Sequence, residues 1–247
     1  MSGMKFSYDR AWQDAVALAR AHTGLLLAIT GVFLLLPQFA QGLFIAPPEI
    51  SGFDQSAIEA WNKYFAENFL TLFLLNLPVA LGQAAILSLV LAPEKPTVGQ
   101  ALTIAATMLL SVVVLNLVSN VMVFGGLILF IVPGVYLLGR LSVAAAAQMA
   151  ERISNPITAI QRSMALTAKN GFQIAGLVIL IVVVGYILAV AIGSIVGIIL
   201  TFIVPSFAAS AAVALLQAAL ASLTLMVLTV LSAAIYLQCV EGAKQAI

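Results

Sequence analysis

The sequence predicts an all-α fold, a bundle of six membrane-crossing helices with shorter amphipathic helices lying along one surface. Three observations lead there. Hydrophobic residues make up 63% of the chain and charged residues only 8%, where a soluble domain carries roughly 25% charged residues. Several apolar runs reach the roughly 20 residues that a helix needs to cross a hydrocarbon core. Short polar stretches with helix-capping chemistry separate those runs. A chain this poor in charge has too little polar surface to face water, so lipid is its solvent, and in lipid only structures that satisfy their own backbone hydrogen bonds are stable.

The elements follow in order. Residues 8–20 form an amphipathic interfacial helix, and the first span covers about 24–45, with Pro37 as its kink. Between spans, Ser56 and Glu59 have capping-box spacing, and Trp61, Tyr64, Phe65 and Phe69 recur at helical intervals. That pattern predicts a short helix at the interface, where aromatic rings settle. The second span covers about 69–91, interrupted by Pro78. Thr97 and Gln100 form another capping box before a third span at about 102–118. Ser119, Asn120, Gly125 and Gly126 then read as a turn. The fourth span, about 124–150, is broken at Pro133 and Gly134 and contains Arg140. Asn155 caps and Pro156 begins an amphipathic helix over 156–168, expected to lie flat on the membrane with Ile157, Ile160 and Met164 on one face. The fifth and sixth spans cover about 172–202 and 209–240. All six belong to a single domain.

Basic residues give the orientation. Lys5, Arg10, Arg20, Lys95, Arg140, Arg152, Arg162, Lys169 and Lys244 fall at one end of this bundle, and Lys63 alone falls at the other. The positive-inside rule places the nine, and both termini, in the cytoplasm. No small-residue cleavage site follows the first apolar run, which therefore reads as a retained anchor in an inner membrane.

Three capped segments share a layout: 7–22, 97–108 and 155–169. Residues 11–18 (AWQDAVAL) and 159–166 (AIQRSMAL) are the most alike. Such internal repetition often frames a site in transporters, although alanine-rich membrane helices also look alike by chance.

The central region carries a further pattern. Pro133 and Gly134 are followed by aromatic Tyr136, then Arg140, Glu151, the Asn155 cap, and the adjacent pair Arg162 and Ser163. Over residues 126–180 this resembles the membrane domain of the glycerophosphoryl diester phosphodiesterase family and related six-span bacterial proteins. The resemblance implies a membrane part without catalysis, because the phosphodiesterase chemistry of that family resides in a separate soluble domain.

Composition excludes several classes. A net charge of +1 provides no basic face for nucleic acid. The lone Cys239 has no disulfide partner and reads as a packed small residue. His22 has no ligand neighbours, so no metal or cofactor is expected. Nucleotide loops, His-Glu-x-x-His and Cys-x-x-Cys motifs are missing, and Asp9, Asp14 and Asp54 fall outside the spans. Trp12, Trp61 and Tyr236 read as interfacial anchors.

The remaining residues support two site hypotheses and one interaction role. Arg140 is an ionisable group inside an apolar run, on one helical face with Ala144, Ala147 and Glu151. With Tyr136, Arg162 and Ser163 it forms a candidate site for a lipid phosphate, since a guanidinium matches phosphate oxygens in a fork. Otherwise Arg140 snorkels to the interface or pairs with Glu94 or Glu151. Lipid engagement is the first functional expectation. The alternative is a small transporter or channel component, with Asn76, Gln83, Asn116, Asn120 and Gln217 lining a polar path, joined by Gln148; the competing explanation for these amides is hydrogen bonding between helices. Docking of a membrane-protein partner through the 156–168 helix, or of a second copy, completes the range. Gly193 and Gly197 permit a close helix approach, within the chain or between copies.

Overall fold

In the computed structural model, which describes residues 6–45, 47–48, 52, 54–92 and 97–244, every regular element is helical. Six helical segments are long and apolar enough to cross a membrane, so the chain is a multi-pass membrane protein. Helix α1 (Tyr8–Ala21) precedes the first crossing, Thr23–Phe44. That crossing contains α2 (Thr23–Ile29), a π-helical turn (Thr30–Leu35) and α3 (Leu36–Phe44). The wide turn sits directly before Pro37, which has no N–H for the preceding turn and so distorts the ladder where the kink was expected.

Helix α4 (Gln55–Leu91) is one continuous helix, not an interfacial helix followed by a span, and it runs through Pro78. The aromatic cluster is its first turns: Trp61 stacks on Phe65 at 5.6 Å and meets Tyr64 edge-on at 5.4 Å. Its cap is Asp54, not Ser56. The Asp54 carboxylate accepts from the Ala57 amide at 3.1 Å and from the Ser56 hydroxyl at 2.6 Å. Asp54 is fully exposed, and these bonds, led by that from Ser56, hold its pKa below the usual carboxylate value.

The Thr97 and Gln100 capping box forms as expected and starts α5 (Val98–Leu129). Here the expectation of a turn at 119–126 fails. Neither Ser119, Asn120 nor the glycine pair breaks a helix in lipid, where an unpaired backbone is too costly. Gly126 instead lets two helices touch: a methyl group there would lie 2.9 Å from the Gly134 Cα. The chain turns at Phe130, which is extended. Pro133 then lies in the first turn of α6 (Ile131–Leu141), where a missing N–H costs nothing, so Pro133 and Gly134 begin the descending segment instead of breaking it. A short break at Ser142 and Val143 separates α6 from α7 (Ala144–Ala150). The fourth crossing is therefore Ile131–Ala150, and the break prevents Arg140 and Glu151 from sharing one helical face.

Asn155 caps α8 (Pro156–Leu166), accepting from the Ile157 amide at 2.9 Å. The helix does not present Ile157, Ile160 and Met164 together: Ala159, Ile160 and Ser163 are buried, while Ile157 is exposed. Helices α9 (Gly171–Thr201) and α10 (Ser206–Lys244) complete the bundle. Gly193 packs on Gln217 and Gly197 on Val213, so this small-residue pair serves contacts inside the chain. Ser7, Thr97 and Asn155 all cap helices, but only the first and third capped helices are separate short elements.

Alternation of direction puts the starts of α5 and α9 and the ends of α4, α7 and α10 at one end, here called the basic end. The core lies toward it. Leu26, Ile29 and Leu34 pack with the Ala84–Leu89 stretch of α4, Val143 and Ala147, and with Leu231 and Ile235 of α10. Since lipid is as apolar as these side chains, close packing and hydrogen bonds hold them together, not exclusion from water. Helix α1 is tied to α10 through an Arg10–Glu241 ion pair and a Gln238 amide donating to the Ser7 carbonyl at 3.4 Å.

Candidate functional site

Away from the basic end the packing loosens into three neighbouring cavities. The outermost, 740 Å³, lies between Gln38 and Gln41 of α3, the aromatic start of α4, Asn76, Asn120 and Gln217. A second, 460 Å³, is lined by Asn76, Gln83, Asn116 and Asn120. A third, 270 Å³, continues inward to Met149 and Ile235 and adds Ser119, Ser142, Thr229 and Ser232. The cavities share walls: Asn76 and Asn120 line the first two, and Gln83, Asn116 and Asn120 line the second and third. All five residues of the expected polar path are thus gathered along one track. Helical spacing explains the alignment. Asn116 and Asn120 are one turn apart on α5, and Asn76 and Gln83 two turns apart on α4.

Among the described residues, no Asp, Glu, Lys, Arg or His lines any of the three cavities. The lining is mostly apolar, and its polar groups are uncharged and only partly self-satisfied. The Asn76 amide donates to the Leu72 carbonyl at 2.8 Å, and Gln83 reaches the Thr229 hydroxyl at a long 3.5 Å. Ser142, Thr229 and Ser232 donate to carbonyls of their own segments. The Ser119 hydroxyl is buried without a partner, and Asn116 and Asn120 form no side-chain hydrogen bond among the described residues. Gln38 is engaged, donating to Ser222 at 2.9 Å.

Beyond Met149 the polar groups are of another kind. Gln148 is fully buried, and its amide donates to Ser111 at 2.6 Å, which donates in turn to the Ser154 carbonyl. The sixth polar-path candidate therefore lies outside the cavities and joins helices instead. Glu151 accepts from Arg162 Nε at 2.8 and 3.1 Å and from the Tyr236 hydroxyl at 2.9 Å, linking α7, α8 and α10. Tyr236 is buried in this cluster and is no interfacial anchor. Arg152 follows in a left-handed conformation, φ 51°, a position where glycine is usual. The turn it closes is otherwise regular, with the Ile153 amide bonded to the Gln148 carbonyl at 3.0 Å.

The four candidate lipid-site residues lie near one another but are occupied to different degrees. Ser163 is buried, and with Thr167 it donates to the Arg140 carbonyl, which the helix break leaves without its own partner. Arg162 is held by Glu151, while Arg140 stands 5.4 Å over the Tyr136 ring. Glu151 is therefore not the partner of Arg140, and Glu94 lies outside the described residues. Tyr136 leans on Phe172 at 5.0 Å. Gly139 and Gly171 allow this crossing: a methyl on Gly139 would overlap the Gly171 carbonyl oxygen, and one on Gly171 would press on Tyr136 and Arg140 at 3.0 Å.

Sequence reasoning missed the Glu151–Arg162–Tyr236 link, since Tyr236 is 85 residues from Glu151 and no local pattern joins them. It also missed Ser119, Ser142, Thr229 and Ser232. Serine and threonine so often bond their own helix that they give little signal. Among the described residues no group of acidic, histidine or cysteine side chains is placed to hold a metal. Compared with models of protein families, with curated proteins and with solved structures, the chain matches none.

Proposed function

We propose that the chain is a small transporter or channel subunit, and that its track of cavities carries a polar solute. One observation carries this reading: Asn76, Gln83, Asn116, Asn120 and Gln217 all line the same adjoining cavities. Amides at membrane depth are costly against lipid, so they face a partner, a bundle interior or water. Where such residues serve only to join helices they bond one another across the interface. Asn116 and Asn120 do not. The lipid-binding alternative is less favoured, because Ser163 and Arg162 are already engaged within the chain.

In the orientation that the basic residues support, both termini are cytoplasmic and the 740 Å³ vestibule opens on the opposite side of an inner membrane. Met149 and Ile235 line the inner chamber, and their chain neighbours Gln148 and Tyr236 bond within the bundle and not into it. A solute descending the track exchanges hydrogen bonds with water for bonds to amides that both donate and accept, which lowers its desolvation cost.

The test is solute efflux from liposomes containing purified protein. The wild type is expected to release small polar solutes faster than protein-free vesicles, and Asn116→Leu or Gln83→Leu to reduce that rate about tenfold, as expected for loss of about 1.4 kcal/mol of hydrogen bonding. Release equal to that of empty vesicles, or unchanged by both substitutions, overturns the reading.

A further inference from the structure

The composition of the innermost chamber narrows the solute. It offers Gln83, Asn116 and Asn120 as groups that both donate and accept, plus a Ser119 hydroxyl that is buried without a partner. No described residue lining it carries a charge. Its closest carboxylate along the chain, Glu151, two residues beyond Met149, is already bound by Arg162 and Tyr236. An ion in this chamber would leave its hydration shell and find no counter-charge. At 270 Å³ the chamber is also below the usual range for drug-sized ligands, about 300–1,000 Å³.

We propose that the chamber around Gln83, Asn116, Ser119 and Asn120 is a binding site for a small, uncharged solute that both donates and accepts hydrogen bonds, such as an amide or polyol, and that it excludes ions. This rests on the transport reading given above and adds the solute class. The amide face supplies the selectivity. A neutral solute regains in the chamber the bonds it gives up in water, while an ion regains only a few of its own. Discrimination therefore arises at Gln83 and Asn116 and not at the vestibule mouth, where Gln41 and Gln217 adjoin wider space.

The experiment uses two alkylating reagents of nearly equal size, neutral iodoacetamide and anionic iodoacetate, with cationic bromoethylamine as the opposite charge. Cysteines are placed at the mouth (Gln217→Cys) and in the chamber (Asn116→Cys, with Ser119→Cys as the second reporter) in full-length Cys239→Ser protein in sealed liposomes. Leu110→Cys, 79% exposed on a membrane-crossing helix, reports access through lipid, where a thiol stays protonated and reacts slowly. Each chamber rate is divided by the rate of the same reagent at the mouth, which removes intrinsic reactivity. The expected result is a chamber-to-mouth ratio about 100-fold lower for both charged reagents than for iodoacetamide. Equal ratios for all three overturn the solute class and leave a wet path standing. Absence of labelling at both chamber cysteines in the membrane, with full labelling after denaturation, overturns the path and this inference with it.

Discussion

The two ends of this bundle differ in what their polar side chains bind. At the basic end most of them bond across helices: Ser163 and Thr167 cover the Arg140 carbonyl, Gln148 donates to Ser111, and Glu151 takes both Arg162 and Tyr236, although the buried side-chain oxygens of Gln148 and Gln238 have no partner among the described residues. Toward the vestibule the amides outnumber their partners, and the Ser119 hydroxyl has none. Both regions are helical and similarly apolar in sequence. What differs is reach: at the basic end side chains bond from one helix to another, whereas Asn116 and Asn120 bond no neighbour among the described residues. Bonds that cross between helices fix them relative to one another, whereas unbonded groups lining a cavity keep their hydrogen-bonding capacity for something else. On this view stability resides at the basic end and solute handling in the cavities, and substitutions should separate the two.

The largest effect is expected at Gly139. In a helix, glycine to alanine ordinarily helps by up to about 1 kcal/mol. Here the added methyl would overlap the Gly171 backbone, which has no flexible side-chain end to yield. Gly139→Ala should therefore reverse the sign and cost about 3 kcal/mol, read as a lowered midpoint of denaturant unfolding in detergent. Gly176, on α9 with nothing within 4 Å of an added methyl, is the matched control and should change by less than about 0.5 kcal/mol. A neutral Gly139→Ala would mean that α6 and α9 cross with room for a methyl group between Gly139 and Gly171.

Glu151→Gln comes next. It removes the charge that holds Arg162 and leaves one oxygen for Tyr236. Arg162 is 41% exposed and Glu151 29%, so water screens much of the pair. A loss of about 1 kcal/mol is expected, well below the 3–5 kcal/mol of a fully buried pair. Asn116→Leu should do the reverse, leaving the unfolding midpoint nearly unchanged while lowering efflux. If Glu151→Gln slowed efflux and Asn116→Leu unfolded the protein, the division between the two ends would be wrong.

How much of this was legible beforehand depended on whether the signal was local. Six crossings, the Thr97 and Asn155 caps, and the distortion beside Pro37 follow from composition, capping chemistry and a missing N–H, all readable over a few residues. The turn between the third and fourth crossings was misplaced because Gly126 carries the mark of a loop and the role of a contact; its partner, Gly134, is known only once the helices are packed. The cavity amides stood out because Asn and Gln are rare in apolar runs. Their convergence on one track depends on the rotation of α4, α5 and α10, which sequence periodicity does not give for helices apolar nearly all round. Tyr236 was misread for the same reason: a tyrosine near a helix end resembles an anchor until a carboxylate is found against it.

The smallest effect is expected at the start of α4, where Asp54 caps the helix bearing the vestibule aromatics. Hydrogen bonds from Ser56 and the Ala57 amide favour the ionised carboxylate, so its folded pKa is depressed below the ordinary 3.8. The sign follows directly. The cap is fully present above 3.8 and is lost as pH falls through the depressed folded value, never on the alkaline side. The proton shift of the Ala57 amide, which donates to Asp54 at 3.1 Å, should report this as a single titration with its midpoint below 3.8. Ser56→Ala removes the larger cause and should raise the midpoint toward 3.8, while Asp54→Asn should keep a cap and abolish the titration. A midpoint at or above 3.8 in the wild type would mean that Asp54 does not hold this turn. The aromatic wall of the vestibule would then begin on a frayed helix, and the contrast between a fixed basic end and a working cavity would extend to the backbone itself.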